Sequence, residues 1–164
     1  MVARMSQNFA KYGLLLVLLF HASAFADLKS DFRQAYKSYN QYLEVDDVPL
    51  ALGSAADAYK LGSKLYGKKH ITTAKLAINY ASLLNDMGEY KKAAKTLKGK
   101  LKVMEKAYGD DAHDLVSLLV EVGRAKFDPN KPEKALEHFQ RASDILANHK
   151  NPIVTGARTF DIVG

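Results

Sequence analysis

The chain repeats itself every 42 residues. Leu65-Tyr66-Gly67 returns as Ala107-Tyr108-Gly109, and at the same offset Ala51, Ala93 and Ala135 align. So do Ala55, Leu97 and Phe139; Tyr39, Ala81 and Gly123; and Ala35, Ala77 and Leu119. A unit this short cannot bury its own apolar face, so its copies must stack on one another, each touching only its neighbours.

Within each period the apolar residues run at helical spacing, as in Ala74, Ala77, Ile78, Ala81, Leu84 and then Ala93, Leu97, Leu101, Met104, Tyr108. Turn residues separate the runs: Asp46-Asp47 with Pro49, Asp86-Met87-Gly88, and Asp128-Pro129-Asn130. Asn130 and Glu133 have the spacing of a capping box, and Asp110 and Asp111 suit the start of a helix electrostatically. The pattern predicts six helices, at 29–45, 48–66, 70–86, 89–108, 112–127 and 131–149. They pair into three hairpins. The expected fold is all-α, a right-handed α-solenoid with a concave and a convex surface, occupying residues 27–150.

What precedes the repeats reads as a leader. Residues 1–26 carry Arg4 and Lys11 but no acid, then the apolar run Leu14 to Phe20, then Ala24-Phe25-Ala26. That order is a signal peptide cleaved after Ala26, and the run is far short of the roughly 20 apolar residues of a membrane-spanning helix. Loss of Arg4 and Lys11 lowers the formal charge from +6 to +4. So small a surplus, on an exported chain, argues against nucleic acid as partner. With no Cys there is no disulfide, thiolate metal site or cysteine nucleophile, and a helical exported protein needing no disulfides suits the periplasm. Residues 151–164 turn non-helical at Pro152 and form a β-leaning tail.

The run Asn79-Tyr80-Ala81-Ser82-Leu83-Leu84, then Gly88-Glu89-Tyr90-Lys91-Lys92-Ala93, then Leu97 and Leu101, resembles the tetratricopeptide repeat. Tyr39, Tyr42, Ala51 and Ala58 carry the likeness into the first unit, and Gly123, Ala135, Phe139 and Ala142 into the third. The 42-residue period, with Tyr66, Gly67 and His70 between units, is similar to the long repeats of kinesin light chains. A weaker likeness is to the periplasmic repeat block of TonB-type energy transducers, although only residues 151–164 follow the repeat domain.

The resemblance implies that the first helix of each hairpin builds the inner wall. It places Arg33, Tyr36, Lys37 and Asn40 there in the first unit, Lys75, Ile78, Asn79 and Ser82 in the second, and Val120 and Arg124, with the acid Glu121, in the third. Cations, amides and apolar patches in that mixture suit an extended peptide of a protein partner, acidic in character. Lys91, Lys95, Lys98, Lys102 and Lys106 would share one stripe of the helix expected at 89–108, a solvated convex face or else a docking strip for an acidic protein or anionic lipid.

Catalytic signatures are missing: no Gly-x-Ser-x-Gly, phosphate-cradling loop, His-Glu-x-x-His or EF-hand occurs. The expectation is a non-enzymatic scaffold without cofactor or metal. Two other readings compete with it. One is an adaptor in an energy-transduction or envelope-assembly complex, peripherally associated with a membrane. The other is a metal or enzymatic site at His113 with Asp110, Asp111 and Asp114. The oligomeric state is not legible.

Overall fold

The computed structural model describes residues 25–148, and all of its regular structure there is helical. Residues 1–24 of the leader and the tail 151–164 lie outside the described residues. The expected cleavage point after Ala26 falls within the first turns of the first helix, α1, where Phe25, Ala26 and Asp27 are exposed.

Helix α1 spans 25–44 and packs against α2, Val48–Tyr66. Between them Asp46 takes a left-handed φ of 55°, and Asp47 caps α2 by accepting from the Leu50 N–H at 3.1 Å. Pro49 sits in the first turn, where its missing N–H has no helical acceptor to lose. Helix α3, Ile71–Asp86, is capped by His70, whose Nδ1 accepts from the Thr72 N–H at 3.2 Å. It ends at Gly88 with φ 74°, the Glu89 N–H bonding Leu84 O at 2.7 Å and the Gly88 N–H bonding Asn85 O at 3.1 Å. This double bond around a left-handed glycine satisfies the orphan carbonyls of the last turn.

The second helix of the middle hairpin corrects the expectation of one rod at 89–108. It is two helices, α4, Tyr90–Leu97, and α5, Lys100–Tyr108. At the junction Lys98 has φ −54°, ψ 122° and Gly99 φ 77°, ψ −1°, the dihedrals of a type II turn, which requires positive φ at its third position. Lys91 and Lys95 therefore lie on α4, Lys102 and Lys106 on α5, and Lys98 in the turn between them. The equivalent helices of the neighbouring hairpins are unbroken, α2 over 19 residues and α7, Glu133–Asn148, over 16.

The third hairpin opens with a short 3-10 turn, His113–Leu115, leading into α6, Val116–Lys126. The capping box expected at Asn130 is displaced, because α7 begins at Glu133 with Pro132 O accepting from the Ala135 and Leu136 N–H groups. Asn130 instead donates its backbone N–H to Asp128 Oδ1 in the preceding loop.

Packing follows chain order, α2 on α3, α3 on α4, α4 on α6, α6 on α7, with α3 also on α6. Neighbouring hairpins stack, as a helical solenoid requires. One apolar cluster joins α1, α2 and α3 through Phe32, Tyr36, Tyr39 and Leu76, and a second runs from α3 to α7 through Ile78, Leu97, Leu118 and Ile145. Leu52 and Tyr80 pack against both, so the core is continuous along the stack.

The 42-residue register is visible in burial. Ala51, Ala93 and Ala135 are 0%, 0% and 1% exposed, where a small side chain lets two helix axes approach closely. A second set of aligned positions exchanges bulk between the two helices of a hairpin. Large Tyr39 aligns with Ala81 and Gly123, whereas the second helices offer Ala55, Leu97 and Phe139. In the third hairpin the exchange is a direct contact, since a Cβ added at Gly123 would stand 2.5 Å from Phe139 Cε1.

Candidate functional site

The first helices of the three hairpins, α1, α3 and α6, present equivalent residues in rows. On α1 the positions are polar and accessible: Arg33 and Lys37 are exposed and Asn40 is half-buried. Tyr36, between them, is buried and stacks among Phe32 and Tyr39, so it belongs to the core of the first hairpin.

Helix α3 lies between its neighbours and is buried on most sides. Ile78 and Asn79 are each 3% exposed, and Ser82 is also buried. Lys75 is half-buried, its Nζ 5.7 Å from the centre of the Tyr108 ring, a cation-π distance. Asn79 Nδ2 and Asn40 Oδ1 are buried without a hydrogen-bond partner among the described residues. A donor and an acceptor left so are costly unless something satisfies them.

On α6, Val120 is half-buried and packs on the core, and Glu121 is buried. Arg124 is held by two acids, bonding Asp86 at 2.6 Å and Glu121 at 3.1 Å. These bonds and charges hold its guanidinium pKa above the usual value, although burial pulls the other way. Glu121 also accepts from Asn85 Nδ2 at 2.7 Å, and its backbone carbonyl accepts from the same group at 3.1 Å. The four residues form a polar clamp between the C-terminal end of α3 and α6, so Arg124 locks two wall helices together. Sequence spacing missed this clamp because its partners lie 36 to 38 residues apart rather than one period.

The expected wall thus divides into accessible residues, Arg33, Lys37, Asn40 and Lys75, and residues packed behind them, Tyr36, Ile78, Asn79 and Ser82. Among the described residues no group of three His, Cys, Asp or Glu side chains is placed to hold a metal ion. No helix among them is long and apolar enough to cross a membrane.

The broken helix opens a second feature. A cavity of about 470 Å³ lies at the turn between α4 and α5, reaching α6 and α7. Leu97, Leu101 and Val122 line its apolar part, and Lys95, Lys98, Lys126 and His138 its polar part. Lys126 Nζ donates to His138 Nε2 at 2.8 Å. Burial first, then the Lys126 charge, push the His138 pKa down, so the ring is neutral and free to accept that bond. On the far side of α5, Lys100 is buried where the other two hairpins have Ala58 and Ala142. Its Nζ donates to Lys68 O at 2.9 Å and stands 5.4 Å from the centre of the Tyr59 ring, and burial lowers its pKa.

Stacked helical hairpins are consistent with the family comparison, in which residues 72–148 match the tetratricopeptide repeat model. Residues 72–148 are tetratricopeptide repeats. The first hairpin precedes the matched residues and joins the array through the aligned Ala51 and its shared core with α3. The tetratricopeptide repeat is in general a non-enzymatic module that binds other proteins, and its presence supports an interaction scaffold. No curated protein matches the chain.

Proposed function

We propose that the chain is exported, loses residues 1–26, and works in the periplasm by holding an extended acidic segment of an envelope protein along the wall made by α1, α3 and α6. The observation that carries this reading is the row of basic and amide groups on that wall: Arg33 and Lys37 exposed on α1, Asn40 beside them, and Asn79 behind with an unsatisfied Nδ2. Arg33, Lys37 and Lys75 supply cations for carboxylates, and the half-buried Asn40 supplies an amide for a peptide backbone. Asn79 and Ser82 pack behind the same row. Val120 offers the apolar contact, Tyr36 and Ile78 support the wall from within, and Arg124 fixes its curvature through the clamp to Asp86 and Glu121. The leader pattern of residues 1–26 supports export.

A photo-crosslinking side chain at Lys37, used in intact cells, identifies the partner, and the same group at Lys106 on α5 serves as control. Affinity of the purified partner then compares the native chain with Arg33→Ala/Lys75→Ala. A loss of about tenfold or more, smaller at high salt, is expected for two charge-assisted contacts. Equal affinities refute the reading, as does recovery of the chain in the cytosolic fraction alone.

A further inference from the structure

The cavity at the turn between α4 and α5 shares α6 with the proposed peptide wall but is lined by none of the wall's residues, and three observations give it a ligand chemistry. The first is that it exists because the array departs from its own pattern. Positions equivalent to Lys98 and Gly99 lie within unbroken helix in α2 and α7, so the type II turn is a local feature of the middle hairpin and is not imposed by stacking. The turn costs the helix its continuity and ends α4 after 8 residues. The space it opens, about 470 Å³, is within the ordinary range of a small-molecule site.

The second observation is charge. Lys95, Lys98 and Lys126 all line the cavity and no acid does. Lys126 points its ammonium at the His138 imidazole, and among the described residues Lys95, Lys98 and Lys126 are in no ion pair. The unpaired cations favour an anionic occupant. The third observation concerns where its polarity can lie. No amide or hydroxyl side chain lines the cavity, and the buried Leu97 and Val122 have nothing to offer a peptide backbone. A ligand that fits has one charged end and an otherwise apolar body.

We propose that this cavity binds a single-chain amphiphile with a carboxylate head, of the fatty-acid class. Its hydrocarbon lies on Leu97, Leu101 and Val122, and its head meets the ammonium groups of Lys95, Lys98 and Lys126. His138 closes one side and, as the acceptor of the Lys126 bond, holds that lysine at the rim.

The test is titration of the full folded chain with dodecanoate below its micelle concentration, followed by methyl NMR. Saturable shifts at Leu97, Leu101 and Val122 are expected. Lys98→Glu/Lys126→Glu, changed at two exposed positions, should lower the affinity about tenfold or more while the melting temperature stays near that of the native chain. Lys91→Glu/Lys106→Glu, outside the cavity, should leave the affinity unchanged, and dodecyl trimethylammonium should bind more weakly than dodecanoate. Absence of saturable shifts, shifts confined to the α1 and α3 wall, equal affinity for the two head groups, or equal affinity of the Lys98/Lys126 variant would each overturn the proposal. So would contacts, in the unliganded chain, between these methyls and residues 149–164.

Discussion

Gly123 and Phe139 are a pair whose separate and joint replacement measures how tightly the third hairpin is fitted. A Cβ at position 123 would lie 2.5, 2.8 and 2.9 Å from Phe139 Cε1, Cζ and Cδ1, against an ordinary contact of 3.4 to 4 Å. In the interior of α6, Gly123→Ala gains about 1 kcal/mol of helix propensity. Displacing the ring costs about 1 to 3 kcal/mol, so the single variant should be neutral to about 2 kcal/mol less stable. Phe139→Leu alone opens a void beside the glycine and costs about 1 kcal/mol or more. Together, the two changes install the Ala81 and Leu97 combination that the middle hairpin already uses, and the clash and the void cancel. A favourable coupling of about 1 to 2 kcal/mol is expected in the double-mutant cycle. Thermal and urea unfolding followed by circular dichroism reads it, since each kcal/mol moves the midpoint of a domain this size by about 3 to 5 °C. A Gly123→Ala variant stabilised by the full propensity gain, or strictly additive changes, would refute the claim that bulk is traded between the two helices.

The other expectations concern crossing, clamp and charge. Ala93→Leu inserts three carbons where exposure is 0%, and should cost about 1 to 3 kcal/mol; an unchanged melting temperature would count against the register. Glu121→Ala removes one of the two acceptors of Asn85 Nδ2 and one of the two partners of Arg124, and should cost about 1 to 3 kcal/mol in urea melts, more than Lys92→Ala at the exposed pair with Glu89. His138 has a depressed folded pKa, so the unfolded chain takes up its proton first as pH falls. Its contribution to stability is intact above about pH 6.5 and is lost as pH drops from there toward the folded value. His138→Gln should flatten the pH dependence of the urea midpoint in that window; an unaltered slope would show that other groups govern it.

Helix positions were legible where apolar periodicity and turn chemistry agreed. Val48–Tyr66 was read to the residue because Asp47 and Pro49 mark its start and Gly67 its end. The break at Gly99 was not, because the lysines and apolar residues on either side keep an uninterrupted helical spacing across it. A signal did exist: Lys100 stands where the other hairpins carry Ala58 and Ala142, and a charged side chain cannot occupy that buried slot on an undisturbed helix. At the wall, chain pattern identified the rows but not their depth. Tyr36, Ile78 and Asn79 look like Lys37 and Asn40 in spacing, yet flanking helices cover them, a property of three-dimensional neighbours rather than of period. The clamp of Asn85, Glu121, Arg124 and Asp86 was hidden for the same reason.

The short lengths of α4 and α5 bear on how this molecule can be divided. Eight and nine residues are below what holds a helix together in water by itself, so these segments persist through what they lean on. Helix α4 leans on α6, and Arg141 of α7 anchors Glu105 of α5 at 2.7 Å and the Asp110 carbonyl just beyond it. An engineer who severed the chain after Tyr108, expecting to recover two intact building blocks, would leave the middle one without its brace. A cut after Tyr66 would keep both downstream hairpins together but would uncover the face of α3 that Leu76 and Leu83 bury against the first hairpin.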